Sequence, residues 1–286
     1  MDLIVGKTAG FCYGVKRAVD GAKEELKKEK TIFGLGEIVH NQDVVKKLET
    51  KGMHFIEDVK EANGKVVIRA HGIPKEIYKQ AKEKQIELID YTCPKVLKIH
   101  KIAEEYANKG YYIFLLGNEK HPENIGTISY CGENKFVIEK EDDIIKALEA
   151  LKNSEIEKLL LISQTTYSLE KFYIIEDKIK KELPKNIELV VKNTICQATE
   201  IRQKETEQIA KKVNSMIVIG GKNSSNTKKL YEIAKKYCDT VWFIENETEL
   251  EFEKIKQDDK IGIMAGASTP KESIEKVIKK LEEYSN

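Results

Sequence analysis

The fold of this chain can be predicted from the stretch Leu88-Ile89-Asp90-Tyr91-Thr92-Cys93-Pro94, in which a short apolar run ends in Thr-Cys. A helical spacing of apolar side chains begins directly after it, and Pro94 suits the first turn of a helix, where its missing N–H group costs nothing. The N–H groups and dipole of a helix start stabilise a thiolate. The stretch therefore predicts a strand, a cysteine suited to bind a ligand, and a helix.

The same pattern of strand, cysteine and helix occurs twice more, at Cys12 and at Cys196. In each copy the helix is followed by an apolar strand that ends in glycine, 22, 24 and 24 residues after the cysteine. Further strands and helices follow in the same order in all three copies. Such an internal repeat predicts three similar structural units, and three equivalent thiolates suggest one shared metal centre.

The third repeat lacks its last strand, and the N-terminal segment Leu3–Val5 is the candidate that completes it. We therefore predict that Leu3–Val5 pairs with Ile261–Met264. Alternating strands and helices predict an α/β fold with parallel sheets. The expected architecture is three small parallel-sheet α/β domains in a pseudo-threefold ring. The predicted domains are 13–93, 94–192 and 193–286, the last completed by residues 1–12.

The composition restricts the class of protein. The chain has 286 residues, 41% of them hydrophobic, and a net charge of +1, which argues against a broad nucleic-acid surface. No apolar run is long enough to predict a membrane span, and the N-terminus shows no signal-peptide pattern. Five cysteines do not suggest a disulfide framework. We therefore expect a cytoplasmic protein with reduced thiols and with no nucleic-acid or membrane partner.

Unusual polar residues fall at the predicted ends of strands in all three repeats. In open parallel sheets, ligands bind beyond the carboxyl ends of the strands. If the three units face inward, these groups and the three cysteines meet at one central cavity. The residues are His40, His71, His121, Glu123, Thr165, Ser224, Ser225, Asn226 and Ser268.

Two metal centres fit three thiolates. The three thiolates can hold three irons of a [4Fe–4S] cluster, which leaves the fourth iron open to a substrate oxygen. They can also hold zinc together with one water. Taken singly, each cysteine is better explained as a small residue packed at a tight turn, but the threefold set favours a metal. Cys131 and Cys238 precede outer strands, and we predict that they are packing thiols.

Two glycine-rich loops, 220–226 and 266–270, precede predicted helices. Hydroxyl and N–H groups at a helix start suit a phosphate, although helix capping explains the same residues equally well. With His40 and His71 at matching strand ends, a diphosphate ligand is favoured. Glu123 stands beside Pro122 in a cavity loop and is the candidate for proton transfer.

The chain contains only three arginines among many lysines, namely Arg17, Arg69 and Arg202. All three are close in sequence to a repeat cysteine or to His71. A guanidinium is needed where a planar cation with several donors must bind. A buried structural ion pair near the site is the alternative, and it is the interpretation we favour from the sequence.

Taken in order, these motifs resemble those of the LytB-type 4-hydroxy-3-methylbut-2-enyl diphosphate reductases, over essentially the whole chain. The motifs are Gly10–Val15 with Arg17 and Ala18, Ile38–Asn41, Arg69–Gly72, Thr92–Pro94, His121–Glu123, Gln164–Thr166, Thr194–Thr199, Ser224–Asn226 and Gly266–Pro270. The resemblance implies the last step of the non-mevalonate isoprenoid pathway. In that step (E)-4-hydroxy-3-methylbut-2-enyl diphosphate takes up two electrons and loses water, giving isopentenyl and dimethylallyl diphosphate.

The resemblance also implies roles for single residues. Cys12, Cys93 and Cys196 would hold one [4Fe–4S] cluster per chain, whose open iron binds the substrate hydroxyl. Glu123 and Thr165 would hydrogen-bond that oxygen, and Glu123 would supply protons with the help of His121. An electron donor such as ferredoxin or flavodoxin is implied. The residues implied for the diphosphate are His40, His71, Ser224, Ser225, Asn226 and Ser268.

One residue departs from the family pattern, and three different functions compete with the reductase. Asn124 stands where the family usually has an apolar residue, which leaves the role of Glu123 standing but changes its surroundings. Quinolinate synthase is also a three-domain ring with three cysteines on a cluster, but its motifs differ. A zinc-dependent phosphate-ester hydrolase would keep the thiolates and the phosphate loops, and a non-enzymatic phospholigand-binding protein would use the cysteines only for packing. A content of about four irons and four sulfides per chain would distinguish the cluster enzymes from the zinc hydrolase and from the binding protein.

Overall fold

The computed structural model describes residues 1–256 and 258–285, in which strands and helices alternate along nearly the whole chain. The strands are β1 (Asp2–Val5), β2 (Ile32–Leu35), β3 (Met53–Ile56), β4 (Val66–Ile68), β5 (Leu88–Asp90), β6 (Tyr112–Leu116), β7 (Lys135–Ile138), β8 (Lys158–Ser163), β9 (Glu188–Val191), β10 (Ser215–Ile219), β11 (Thr240–Ile244) and β12 (Lys260–Ala265). The helices are α1 (Tyr13–Lys28), α2 (Gln42–Glu49), α3 (Lys75–Glu83), α4 (Pro94–Asn108), α5 (Pro122–Ile128), α6 (Asp143–Asn153), α7 (Leu169–Glu182), α8 (Gln197–Ala210), α9 (Ser225–Tyr237) and α10 (Lys271–Ser285). Short 3-10 turns cover Val59–Glu61, Glu247–Glu249 and Phe252–Lys254.

The strands form three four-stranded sheets with one common order. The orders are β3-β2-β4-β5, β7-β6-β8-β9 and β11-β10-β12-β1. In each sheet the strand after the cysteine helix lies second, next to an edge strand, and the strand that leads to a cysteine forms the opposite edge. The paired strands run parallel. The predicted α/β class with three parallel sheets is confirmed.

The N-terminal strand completes the third sheet. Leu3 pairs with Ile261 and Val5 with Ile263, so the predicted pairing of Leu3–Val5 with the strand at Ile261 is confirmed. This pairing supplies the strand that the third repeat lacks. The domain boundaries at 13–93, 94–192 and 193–286 and the ring arrangement stay predictions, and Asn286 lies outside the described residues.

Two compact units divide the chain. The first consists of Met1–Lys30, Glu37–Met53 and Gln197–Asn286, and it contains the sheet that β1 completes. Its central strands β10 and β12 are buried at nearly every position, as near-continuous apolar runs in parallel sheets should be. Ile217, Ile263 and Val277 lie at the centre of its core.

The second unit consists of Thr31–Gly36 and His54–Cys196, and it contains the other two sheets. Its largest core packs helices α6 and α7 against β6 and β8, with Phe114 and Phe172 fully buried. A smaller core surrounds Ile68 on β4. Within the described residues, every helix is too short or too polar to cross a membrane.

Candidate functional site

The three repeat cysteines occupy equivalent junctions between a strand and a helix. Each follows an edge strand and stands directly before helix α1, α4 or α8. In each case the cysteine N–H donates to a carbonyl in the loop after the neighbouring strand, so the same bond fixes all three. These bonds are Cys12 to Ala267 at 3.2 Å, Cys93 to Ala70 at 3.0 Å and Cys196 to Thr165 at 2.9 Å.

These three cysteines have partly exposed side chains that form no disulfide. All five cysteines of the chain are described, and none forms a disulfide. Cys12, Cys93 and Cys196 are partly exposed, and at Cys12 and Cys93 the thiol does not cap the helix that follows. Cysteine sulfur is a soft ligand for iron or zinc. The donor set therefore fits a sulfur-ligated metal or iron–sulfur cluster.

The other two cysteines have a different environment. Cys131 and Cys238 are buried, and their thiols donate to the carbonyls of Thr127 at 3.3 Å and Asn214 at 3.1 Å. Burial raises the pKa of Cys131 to about 12, so this thiol stays protonated. Both residues are packed against the sheet, as predicted, and neither is a suitable metal ligand.

A buried carboxyl group lies in the second unit, at the carboxyl ends of β6 and β8. Glu123 is 2% exposed, on the first turn of α5. One of its oxygens accepts from the Thr165 N–H at 2.6 Å, and the other accepts from the Thr165 hydroxyl at 2.6 Å. The carbonyl of Thr165 binds the Cys196 N–H, so Thr165 connects the carboxyl group with a cysteine junction.

The environment of Glu123 tunes its proton affinity. Burial raises the pKa of this carboxyl to about 7, although the two hydrogen bonds from Thr165 act in the opposite direction. A carboxyl group with a pKa near neutrality exists in both protonation states at ordinary pH. It can therefore donate a proton and recover it, as a general acid must.

Two histidines are connected with this carboxyl group, His121 directly and His71 through the ring of His121. His121 is the N-cap of α5, and its Nδ1 accepts from the Glu123 N–H at 3.2 Å. The ring of His71 meets that of His121 edge to face, with centroids 5.4 Å apart. His71 follows Ala70, whose carbonyl binds Cys93. The second unit thus brings Glu123, Thr165, His121 and His71 together.

Asn124, the departure from the family pattern, is fully buried beside Glu123. Its Nδ2 donates to the carbonyl of Asn118 at 2.7 Å and to Oε1 of Gln164 at 3.1 Å. These bonds connect the loop after β6 with the loop after β8, which carries Thr165. An apolar residue could not make them, so Asn124 adds a polar connection between the loops that hold Glu123 and Thr165.

The first unit contributes a cradle built from three loops. The Ser268 hydroxyl donates to the His40 carbonyl at 3.3 Å, which joins the loop after β12 to the start of α2. A Cβ at Gly221 would lie 2.3 Å from the same carbonyl oxygen, so only glycine permits this approach. His40, Gly221 and Ser268 are therefore held together at the carboxyl ends of β10 and β12.

Helix α9 begins at this cradle. Ser224 caps the helix by accepting from the Thr227 N–H at 3.3 Å, and Ser225 and Asn226 form its first turn. Asn226 is 3% exposed, and its side-chain nitrogen and oxygen find no hydrogen-bond partner within the described residues. Buried amides are normally paired. An orphaned amide at a helix N-terminus therefore indicates an anionic or polar ligand.

The sequence did not predict how the segment before Cys12 is held. Arg202 on α8 is 4% exposed and donates three hydrogen bonds to the carbonyls of Thr8 and Gly10. Glu205, one turn along, accepts from the N–H groups of Lys7 and Thr8. The scarcity of arginine pointed to Arg202 as special, but nothing in the sequence connected it with residues 7–10.

Comparison with known proteins agrees with the resemblance seen in the motifs. The model of the LytB protein family matches residues 3–282. The 4-hydroxy-3-methylbut-2-enyl diphosphate reductase of Caldanaerobacter subterraneus subsp. tengcongensis is 44% identical, over 98% of this chain and 96% of its own length. The enzyme of the same name from Clostridioides difficile is 41% identical, over 99% of both chains.

Solved structures give the same result. A structure of (E)-4-hydroxy-3-methyl-but-2-enyl diphosphate reductase, the terminal enzyme of the non-mevalonate pathway, is 38% identical with a TM-score of 0.70, covering 99% of this chain and all of that one. The reductase of Plasmodium falciparum is 33% identical with a TM-score of 0.87, covering 97% and 87%. The family match, the sequence identity over nearly the full length and the shared fold agree. The chain therefore belongs to the LytB protein family.

Proposed function

We propose that this chain reduces (E)-4-hydroxy-3-methylbut-2-enyl diphosphate to isopentenyl and dimethylallyl diphosphate. The allylic C–O bond breaks, two electrons and two protons enter, and the hydroxyl leaves as water. The observation that carries the proposal is the set of three equivalent cysteine junctions in a member of the LytB family. Reductive loss of a hydroxyl group needs both an electron source and an acid.

Cys12, Cys93 and Cys196 would hold one [4Fe–4S] cluster per chain. Three cysteine ligands leave one iron without a protein ligand, and such a cluster supplies electrons and a Lewis-acidic iron when it is bound. The partly exposed thiols at helix starts fit this role, whereas the buried thiols of Cys131 and Cys238 do not.

Glu123 would be the catalytic acid, with Thr165 and His121 assisting. The departing hydroxyl gains one proton, and the allylic carbon framework gains another. A carboxyl group whose pKa lies near 7 is suited to both transfers, because it can be protonated again between them. Thr165 orients the carboxyl through its N–H and hydroxyl groups.

The diphosphate would be bound by histidines and by small polar side chains. In the first unit these are His40, Ser224, Ser225, Asn226 and Ser268, which stand at the cradle before α9. In the second unit His71 and His121 would contribute. The orphaned amide of Asn226 supports this role, because a phosphate oxygen and a hydroxyl or water can satisfy it. Binding the diphosphate there would orient the allylic end of the substrate.

The electrons would come from a small carrier protein such as ferredoxin or flavodoxin. The near-neutral net charge gives no reason to expect a nucleic-acid partner. Thiols that serve as cluster ligands must stay reduced, which favours the cytoplasm as the compartment.

The test is an assay of anaerobically purified protein with the diphosphate substrate and a strong one-electron reductant. We expect brown protein with about four irons and four sulfides per chain, and formation of both products. Replacing Cys12, Cys93 or Cys196 by Ser should remove or degrade the cluster and abolish turnover. Cys131→Ala and Cys238→Ala are the matched controls and should keep iron and activity.

Two results would contradict the proposal. Colourless protein that binds zinc and hydrolyses phosphate esters would identify a zinc hydrolase instead. Loss of iron in the Cys131 or Cys238 variants, with retention in the three repeat variants, would show that the ligand set is different.

A further inference from the structure

The three cysteine junctions differ in the length of irregular chain that precedes the cysteine. Cys93 follows Asp90, the last residue of β5, by three positions, and Cys196 follows Val191 of β9 by five. Cys12 follows Val5 of β1 by seven. A longer irregular segment has more backbone freedom to lose when it is ordered. The thiol of Cys12 therefore needs more support from outside its own segment than the other two.

The two shorter segments are fixed by a local turn. The residue three positions before the cysteine is Asp90 in one repeat and Asn193 in the other. Its side chain accepts from the N–H two residues later, at 2.7 Å for Thr92 and at 3.0 Å for Ile195. Asp and Asn make this turn because their side-chain oxygen reaches the local backbone.

The corresponding residue before Cys12 is Ala9, whose side chain cannot accept a hydrogen bond. The segment instead contains Gly10 at φ +103°, a left-handed conformation that suits glycine. Its own backbone supplies one turn bond, from the Ala9 N–H to the Gly6 carbonyl at 3.1 Å. The device that orders the other two segments is therefore missing here.

Arg202 and Glu205, both on helix α8, order this segment instead of a local Asp or Asn turn. The Arg202 guanidinium donates to the Thr8 carbonyl at 2.8 and 2.6 Å and to the Gly10 carbonyl at 2.8 Å. Glu205 accepts from the N–H groups of Lys7 at 2.7 Å and Thr8 at 2.9 Å, and also from the Thr8 hydroxyl. Donors and acceptors of one backbone segment are thus bound by two opposite charges.

Both side chains act through charge-assisted bonds, which are the stronger kind. The planar fork of Arg202 contacts two carbonyls at once, a geometry that lysine cannot reproduce. For Glu205, burial alone would raise the pKa, but the bonds from Thr8 and Lys7 and the charge of Arg202 lower it instead. The carboxylate is therefore the stable form in this clamp.

We propose that Arg202 and Glu205 are positioning residues that hold the Lys7–Gly10 segment, and through it the thiol of Cys12, in the geometry needed to ligate the cluster. The inference rests on the proposed function, because it assumes that Cys12 is a cluster ligand. Supporting partners of metal ligands usually matter for retention of the metal nearly as much as the ligands do.

The test compares iron retention in the cluster-loaded protein. Wild type, Arg202→Lys and Glu205→Gln are reconstituted anaerobically, and iron release to a chelator is followed together with the electron paramagnetic resonance spectrum of the reduced cluster. We expect both variants to release iron about tenfold faster than wild type, the lower end of the usual effect of such partners. We also expect a spectrum changed in line shape.

Two controls separate positioning from general stability. Glu207 lies on the same helix and pairs at the surface with Lys211, so iron release from Glu207→Gln should stay within about twofold of wild type. Leu281→Ala truncates a fully buried side chain near the end of α10. It should lower the melting temperature but leave iron release within about twofold, because an apolar side chain takes no part in the hydrogen bonds of the clamp.

The outcomes are distinguishable. Wild type that holds no iron would overturn the proposed cluster and this inference with it. Wild-type protein with a stable cluster, and wild-type release rates in both clamp variants, would overturn the clamp alone. If iron is released faster in every variant with a lower melting temperature, Leu281→Ala included, the positioning role is overturned. Arg202 and Glu205 would then act only through the general stability of the fold. If Arg202→Lys fails to fold, Glu205→Gln decides.

Discussion

The two units contribute opposite kinds of chemistry to the proposed reaction. In the second unit a buried carboxyl, Glu123, is held by Thr165 and has a pKa near neutrality, beside the imidazoles of His71 and His121. In the first unit the cradle of His40, Gly221, Ser268 and Asn226 contains amides, hydroxyls and a helix start, but no buried carboxyl group that could repel a phosphate within its described residues.

This difference follows from what each chemical task needs. A proton donor must change its charge during the reaction, so burial that raises a carboxyl pKa is useful. Binding an anion needs no change of charge during the reaction, so backbone N–H, amide and hydroxyl groups, which do not titrate, are suited to it. Changes at Glu123 should therefore affect kcat, and changes in the cradle should affect KM.

Among changes that leave the three repeat cysteines in place, the largest effect should come from Glu123→Gln. Glutamine keeps the shape and the bonds to Thr165 but cannot transfer the proton, so kcat should fall by about 100-fold or more, with little change in KM. Anaerobic steady-state kinetics measures both constants. Glu188→Gln, at the start of β9 and so at the opposite end of its strand from the site, is the matched control. Near-normal turnover in Glu123→Gln would show that His121 or water supplies the proton.

The same residue should also produce a pH dependence of stability. The folded-state pKa of Glu123, about 7, lies above the ordinary value of 4.5, so the folded protein binds this proton more tightly than the unfolded chain. The resulting stabilisation is complete below pH 4.5 and is lost as pH rises through 7. It amounts to about 3 kcal/mol. Urea unfolding of the reduced, metal-free protein at pH 5 and pH 8 should show this loss in wild type but not in Glu123→Gln.

Much of the second unit's site could be predicted from the sequence, because its information is local. Cys93 and Cys196 stand in a repeated pattern, and the same repeat, incomplete in its third copy, also predicted the β1–β12 pairing of the first unit. The value near 7 for Glu123 could not be predicted, since it depends on how completely α5 and the Thr165 loop exclude water. Desolvation is a property of the packed structure rather than of a motif.

In the first unit, two features of the structure could not be predicted from the sequence. Ser224 and Asn226 suggested a helix start with capping residues, and Ser224 does cap α9. The burial of Asn226 without a partner among residues 1–256 and 258–285 becomes visible only once the neighbouring loops are in place. Arg202 reaches carbonyls 194 and 192 positions away in the sequence, a contact that no local pattern indicates.

A smaller effect, on KM rather than on kcat, is expected for Asn226→Ala. Losing hydrogen bonds to a charged group should raise KM about tenfold with little change in kcat. The variant also removes a buried amide that has no partner in the part of the chain that the structure describes, so the unfolding free energy should not fall. Asn214→Ala, at the start of β10 and thus at the other end of the same sheet, is the control. A fall in kcat at unchanged KM would contradict the division between the units.

The smallest effect should come from Ser268→Ala, and a neighbouring residue makes it a sharp test. The hydroxyls of Ser268 and Thr269 lie in the same loop, but they have different partners. Thr269 is fully buried and donates to the Ile219 carbonyl at 3.0 Å, whereas Ser268 donates to the His40 carbonyl at the longer distance of 3.3 Å. A weakly engaged hydroxyl can turn to a phosphate oxygen, so Ser268→Ala should raise KM about fivefold with unchanged melting temperature.

Thr269→Val should lower the melting temperature and leave KM unchanged, because the Thr269 hydroxyl stabilises the fold. The same result for both variants would mean that this loop supports the cradle without binding the substrate.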